Sequence, residues 1–360
     1  MKTVAFFIDN LTRSGTELQV KGLIEHLPES INPILITIKP SDPELIPSNC
    51  HHVYIPLPKL LSMHGVKQIA AIAKLLKKYK VDVVQCYFQD ATIVGLIAAI
   101  AANIKLKIVC FRDLGFWITQ PHKILLRLLY AFANRFIVNA HIVASFFSTQ
   151  FRLPMNKFTV IRNGIDAHQL PFNPLRQPTA VAVVGNMTRQ VKRIDLFISA
   201  AALLKKTYPN LSWHVIGDGH LKTELHQQAD ELNVSDKVIF AGRISDIPQY
   251  LQAIDIGVIC SDSEGLSNAI IEYMFSGVTV VATRVGGNSE LIEQGSTGLL
   301  VEPNNAAALA NAIAYFIEHP EERAACTYKA RAFVETHYSW EHCVEQHLRL
   351  YEQSLPSLPR

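Results

Sequence analysis

The 360 residues contain six cysteines, Cys50, Cys86, Cys110, Cys260, Cys326 and Cys343, and no two of them form a C-x-x-C pair. Scattered in this way, they read as buried, reduced thiols, which points to a reducing cytoplasm. Nor is there an apolar run of the ~20 residues that a membrane-spanning helix needs. The longest, Ala91 to Ala102, closes on Asn103, Lys105 and Lys107, so no crossing segment is expected. The opening "MKTVAFFIDN" has too short an apolar core for a signal peptide and reads as a strand.

Metal signatures are missing too. The 14 histidines form no H-E-x-x-H, "HHVY" (51 to 54) reads as a surface loop, and no D-x-D occurs, the nearest being "DSE" at 262 to 264. A metal is therefore not expected. There is no G-x-G-x-x-G: in "VIGDGHLKTEL", Gly217 and Gly219 follow a predicted strand, but Lys222 stands where the third glycine would be. That disfavours nicotinamide chemistry. Helix-turn-helix, RNA-binding and zinc-finger patterns are absent, so nucleic acid is not an expected partner.

The chain does have a 49% hydrophobic composition over a length more typical of two domains than one. Its net charge of +3 is unevenly divided, with 19 Lys+Arg against 10 Asp+Glu in residues 1–168 and 15 against 21 in the remainder. The basic residues of the first half, including "KLLKKYK" (74 to 80), Lys105, Lys107, Lys123, Arg127 and Arg135, are interleaved with apolar helical positions. Such a half is either a solvated basic face or one that meets an anionic membrane or lipid-linked substrate.

Periodicity repeats one plan twice. Strand-like runs at 4–8, 34–38, 82–85, 107–110 and 136–138 alternate with helix-like stretches at 16–27, 66–79, 91–102 and 121–133. Strands at 181–184, 212–216, 238–240, 256–259 and 278–282 then alternate with helices at 194–206, 220–232, 268–276 and 306–319. This is the βαβ alternation of parallel sheets covered on both faces. "RNGIDAHQLPFNPLRQP" (162 to 178) reads as a linker with the boundary near 168 to 178. The expected organisation is α/β, with doubly wound domains at 1–168 and 169–336 facing a central cleft, and a final helix within 337–360 packing back towards the first domain. Ligands of such sheets bind beyond the carboxyl ends of the strands.

In the first such loop, Gly15 precedes a predicted helix and serves either a tight turn or an anion. After the strand at 181–184, "GNMTRQVKRIDLF" presents Arg189, Lys192 and Arg193 just before a helix. Cations there oppose the helix dipole and call for a compensating anion, so Arg189 and Lys192 suit a diphosphate. After the strand at 256–259, "CSDSEGLSNAIIEYMF" places Glu264 in a loop and Glu272 one turn into a helix capped by Ser267 or Asn268. Carboxylates so placed accept hydrogen bonds from vicinal hydroxyls, one for each sugar ring.

The E-x7-E pair Glu264 and Glu272, together with "VIRNGID", "VVGNMTRQVKRIDLFISAAALL", "IGDG", "FAGR" and "YSWEHCVEQHLRLYEQ", resembles the retaining family 4 glycosyltransferases of GT-B fold. The resemblance implies two Rossmann-like domains and a nucleoside-diphosphate sugar as donor, with no metal or other cofactor. It assigns Glu272 to the ribose hydroxyls, Glu264 to the transferred sugar, and Arg189 and Lys192 to the diphosphate. Leu266, Ser267 and Asn268 would bind the sugar and distal phosphate through their backbone, Arg243 would line the nucleoside pocket, and Gly15, Asn186 and Gly217 would belong to the donor loops. Asn186 stands where many members carry arginine. Gln85, Tyr87, Arg112 and Asp113 are the polar groups available on the acceptor side, where many members have a histidine.

The implied reaction carries a hexose to a hydroxyl of a glycan or polyprenyl-linked acceptor in envelope polysaccharide assembly, at the inner face of the cytoplasmic membrane. A sugar-nucleotide epimerase, a pyridoxal-dependent phosphorylase and a non-catalytic partner of an assembly complex remain as alternatives.

Overall fold

The computed structural model describes residues 1–57, 63–115, 118, 120–165, 174 and 177–355. They divide into two units, Met1–Gly164 with Trp340–Arg360, and Ile165–Ser339. The sequence placed the change near 168 and 336; of its predicted linker, residues 166–173 and 175–176 lie outside the described residues.

Unit 1 is built on β1 (Lys2–Ile8), β2 (Ile31–Thr37), β3 (His51–Tyr54), β4 (Val83–Tyr87), β5 (Leu106–Phe111), β6 (Arg135–Val138) and β7 (Phe158–Val160). All pair in parallel, in the order β3-β2-β1-β4-β5-β6-β7. Its helices are α1 (Gly15–Glu25), α2 (Met63–Lys78), α3 (Gln89–Ala101), α4 (Gln120–Tyr130) and α5 (His141–Phe151). Central strands such as "VAFFI" and "ILIT" are buried along their whole length, because helices cover both faces of the sheet.

"HHVY" is not a loop. It forms the edge strand β3, where Thr37 Oγ1 and His52 Nε2 lie 2.9 Å apart and His51 Nε2 and the Tyr79 hydroxyl 2.9 Å apart. An edge strand faces solvent along one side, so its residues need not alternate with core positions, and the pattern went unmarked.

Unit 2 carries β8 (Ala180–Val184), β9 (Ser212–Ile216), β10 (Val238–Gly242), β11 (Ile256–Ile259), β12 (Thr279–Thr283) and β13 (Leu299–Val301). These are parallel in the order β10-β9-β8-β11-β12-β13. The helices are α6 (Ile194–Leu204), α7 (Lys222–Glu231), α8 (Ile247–Leu251), α9 (Asn268–Phe275), α10 (Asn288–Leu291), α11 (Ala306–Glu318) and α12 (Pro320–His337). Both sheets are Rossmann-like, with the change of strand order beside the first strand that opens a ligand crevice in such folds.

The final helix α13 (Trp340–Ser354) returns to unit 1 through one large side chain. A Cβ on either Gly22 or Gly164 would stand 2.1 Å from the Trp340 indole, so the ring lies flat between two bare backbones. His26 stacks on it at 4.9 Å, and Gln19 holds Gly164 by donating to its carbonyl at 2.7 Å and accepting from its N–H at 3.0 Å. Further along, the Tyr351 hydroxyl donates to Gln85 Oε1 at 2.7 Å in the core.

The same helix buries His347 completely. Burial pushes its imidazole down to about 4, and Nε2 has no hydrogen-bond partner among the described residues. Between that value and the unfolded 6.5, the unfolded chain binds a proton that the folded one refuses, so stability must fall as pH drops through this window. The contribution at pH 5 is about 2 kcal/mol. Urea unfolding at pH 7 and pH 5 should show His347→Leu losing less stability on acidification than the native chain by about that amount; equal losses would mean that His347 is protonated when folded.

Candidate functional site

In unit 2 the loops at the carboxyl ends of the strands are locked together. Gly185 N–H donates to Ile216 O at 3.0 Å, Met187 N–H to Asp218 O at 3.0 Å, and Gly217 N–H to Gly242 O at 2.8 Å. Gly217 has φ +140°, and a Cβ there would stand 2.0 Å from Gly185 O; one on Gly219 would stand 2.3 Å from the Met187 carbonyl carbon. The glycine pair that looked like an incomplete dinucleotide turn therefore lets two loops pack backbone to backbone. Asn186, between them, is exposed.

That packing presents a short turn, Gln190–Lys192, ahead of α6. From it Lys192 Nζ donates to Glu264 Oε1 at 2.7 Å, and the same oxygen accepts from Ser261 Oγ at 2.6 Å. Glu264 is 8% exposed, and its Oε2 has no donor among the described residues. The backbone of Glu264 and Gly265 is backed by the turn after β12. Gly286, at φ +49°, would carry a Cβ 1.7 Å from Glu264 O, and Gly287 N–H donates to Gly265 O at 3.0 Å. Thr283 Oγ1 donates to Ser261 O at 2.6 Å, so β12 fixes Ser261, one of the two residues that hold the carboxylate. One oxygen is thus occupied by a cation and a hydroxyl, while the other keeps its accepting capacity.

Glu272 lies on α9, and its position is set by its neighbour. The Tyr273 hydroxyl accepts from Val184 N–H at 2.8 Å and donates to Ala182 O at 3.2 Å, tying α9 to the end of β8. Gly257 in β11 leaves room for that ring, since a Cβ would meet it at 2.5 Å. The Glu272 carboxylate has no hydrogen bond or ion pair among the described residues, and burial pushes it up to about 7. An unpaired carboxylate with so high a pKa is a marker of binding or catalytic sites. Ser267 occupies the N-cap of α9 without a side-chain cap bond, and Leu266 and Ser267 are buried. Ser267 is thus the cap residue that the spacing predicts, without a side-chain cap bond among the described residues, and the helix starts at Asn268.

The cations separate. Arg193, in a left-handed conformation, pairs with Asp195 at 2.9 Å and Asp262 at 3.1 Å, so the chain supplies its anions. Arg189 is exposed and lines a pocket of about 620 Å³ with Gln190, Arg193, Glu224 and Asp262. Neither Lys192 nor Glu264 lines that pocket. Arg243, following Gly242 at φ +70°, is exposed and makes no contact with a charged partner among the described residues.

In unit 1, Gly15 is exposed at the start of α1, and the Thr12 and Ser14 hydroxyls both donate to buried Glu17, the Thr12 bond at 2.9 Å. Asp9, after β1, accepts from Ala91 N–H at 3.0 Å and from Lys39 at 2.6 Å; burial raises its pKa, with Lys39 opposing.

The acceptor-side assignment needs correction at two residues. Gln85 and Tyr87 are wholly buried: Gln85 Nε2 donates to the Tyr87 hydroxyl at 2.5 Å, and its Oε1 is taken by Tyr351. They anchor α13 and offer nothing to a ligand. Arg112 and Asp113 remain partly exposed, Arg112 donating to Asn163 Oδ1 at 2.8 Å and Asp113 accepting from Gly115 N–H at 2.7 Å.

Sequence reasoning missed three features of these edges. Ser261, Gly286 and Gly287 hold Glu264, and the paired glycines after the 278–282 run were the available signal. Phe88 has φ +59° immediately after β4, a conformation that bulky side chains avoid and that clusters at functional edges. Nothing in a phenylalanine announces it.

Two family models match the chain, "Glycosyl transferases group 1" over residues 171–333 and "Glycosyltransferase Family 4" over residues 13–169. The Vi polysaccharide biosynthesis protein VipC/TviE of Salmonella typhi is 25% identical over 58% of this chain, which covers only 39% of that protein's length. An Escherichia coli UDP-Gal:alpha-D-GlcNAc-diphosphoundecaprenol alpha-1,3-galactosyltransferase is 24% identical over 74% of this chain and 73% of its own. In fold, the chain superposes on the crystal structure of Anabaena Alr3699/HepE in complex with UDP, with a TM-score of 0.85 at 22% identity over 98% of this chain and 100% of that one.

Proposed function

The chain belongs to the group 1, family 4 glycosyltransferases of GT-B fold, and from that premise we propose that it moves a hexose from a nucleoside-diphosphate sugar to an acceptor hydroxyl with retention at the anomeric carbon. The observation that carries this reading is the arrangement around Glu264, whose Oε1 is held by Lys192 and Ser261 while Oε2 stays open. Glu272, unpaired on α9, receives the ribose hydroxyls, and Glu264 the hydroxyls of the sugar. Lys192 and the backbone of Leu266, Ser267 and Asn268 face the diphosphate, where negative charge develops as the bond to the sugar breaks. Donors preset at that position stabilise the departing charge, the kind of term that dominates many enzymes. These groups supply the positive charge that a metal would otherwise bring, so the reaction runs without one.

A carboxylate nucleophile in a double displacement requires a second carboxyl ~5 to 5.5 Å away as acid and base. Here Glu264 is engaged through Oε1, and Glu272 serves the other end of the donor. The acceptor hydroxyl therefore attacks from the side of the leaving phosphate, which takes its proton. The acceptor is a glycan or polyprenyl-linked sugar of envelope polysaccharide assembly, met at the anionic inner face of the membrane. The E. coli relative's diphosphoundecaprenol acceptor and the excess of Lys+Arg in residues 1–168 support this.

Calorimetric titration of UDP, GDP, ADP and their sugar derivatives into the native chain and Glu272→Ala tests the donor site. Micromolar binding of one nucleotide, lost in the variant, is the expected result. Absence of binding by all of them would leave a non-catalytic GT-B partner as the better account.

A further inference from the structure

We propose that the outer face of α4 docks unit 1 on an anionic lipid surface, with Ile124, Leu128 and Phe132 entering the headgroup boundary. This deepens the membrane-adjacent part of the reading above and can fail or hold independently of sugar transfer.

The three side chains recur at i, i+4 and i+8, one above another on the same side of the helix and the turn that follows it. Their exposures are 71%, 63% and 55%. The inward face is filled by Leu126, Leu129 and Tyr130, the last set edge-on against Phe111 and Phe136. Single exposed leucines are ordinary on soluble proteins, whereas a row of large apolar side chains marks an interaction surface.

Charge says what covers it. No Asp or Glu occurs from Leu114 to Ile165, while Lys123, Arg127, Arg135 and Lys157 do. Two of these cations lie at the end of α4, where Lys157 Nζ donates to Ala133 O at 3.0 Å and Arg135 Nη1 to Asn134 O at 3.4 Å. Helices α2 and α4 flank α3, so the exposed Lys67, Lys74, Lys77 and Lys78 of α2 belong to the same layer. The three carboxylates of residues 63–151 are all engaged within the chain: Asp82 accepts from Thr3 N–H, Asp90 from Lys39, and Asp113 from Gly115 N–H.

An apolar ridge bordered by cations, with no anions among them, is the pattern of a helix lying in a membrane interface, where lipid phosphates meet the cations. A second copy of the chain fits less well, because a two-fold contact through the ridge would set Arg127 near its own mate.

The test is flotation with vesicles of phosphatidylcholine alone or mixed with phosphatidylglycerol, with no nucleotide or acceptor present. The native chain should bind the mixed vesicles at low salt, release them at high salt and ignore the neutral ones. Ile124→Ser/Leu128→Ser/Phe132→Ser should bind about tenfold more weakly or worse while keeping its thermal transition. Leu128→Trp supplies a second readout should the triple variant fail to fold: its fluorescence should shift to the blue on mixed vesicles. Undiminished binding by a folded triple variant, an unshifted Leu128→Trp spectrum, or a concentration-dependent dimer abolished by the triple change would overturn the proposal.

Discussion

Replacing Lys192 with methionine is expected to lower the turnover number by about 10²- to 10³-fold, the range found when one preset donor to a developing anion is removed. Turnover would be read as nucleoside diphosphate release from the donor selected by calorimetry. Methionine keeps most of the length of the stem and removes the charge, so packing of the turn Gln190–Lys192 should survive. In the proposed mechanism the ammonium meets the leaving phosphate, and in the structure it holds Glu264 Oε1 at 2.7 Å. Loss of that contact leaves a carboxylate at 8% exposure with Ser261 as its remaining donor. The two positions should therefore be strongly non-additive, with Lys192→Met/Glu264→Gln no slower than about the worse single variant. Additive losses would show that the pair does not act as one unit. Donor KM should move far less than the turnover number, because the charge matters most where it forms.

The legibility of this chain follows its contact distances. Buried parallel strands announce themselves as short runs of Val, Ile and Leu, and the predicted 212–216 and 256–259 coincide with β9 and β11. Glu264 and Glu272 were visible because both belong to one loop and the helix after it. What holds them was not: Ser261 is an ordinary serine until folding brings Thr283 and Gly286 behind it. Gln85 and Tyr87 misled because polar side chains at a strand end look available, and their partner Tyr351 lies 266 residues from Gln85 in sequence. Helix α12 was unmarked for a similar reason. Its Arg323 is 2% exposed and satisfied by the carbonyls of Pro174 and Phe316, so a residue type read as surface occupies the core.

Glu272→Gln should weaken nucleotide binding and stabilise the fold in a single step. Burial lifts the carboxyl from 4.5 to about 7, so between these values the folded chain holds a proton that the unfolded chain has released. Stability accordingly falls as pH rises through that window, and above it the ionised group is a standing cost. A displacement of that size corresponds to roughly 3 kcal/mol, reduced to about 2 kcal/mol for a side chain that is only partly buried. A neutral glutamine of the same shape relieves that cost at pH 8 and changes little at pH 4. Binding should run the other way. If the ribose hydroxyls need the carboxylate, the native chain's affinity drops about tenfold for each unit below pH 7, and the variant binds weakly at every pH. Such opposed effects are expected where a strained, unpaired group is kept for its ligand. Urea unfolding and calorimetry of both proteins at pH 8 and pH 6 would decide it. A variant less stable than the native chain at pH 8 would place a hidden partner on Glu272, and one that binds nucleotide normally would move the ribose elsewhere.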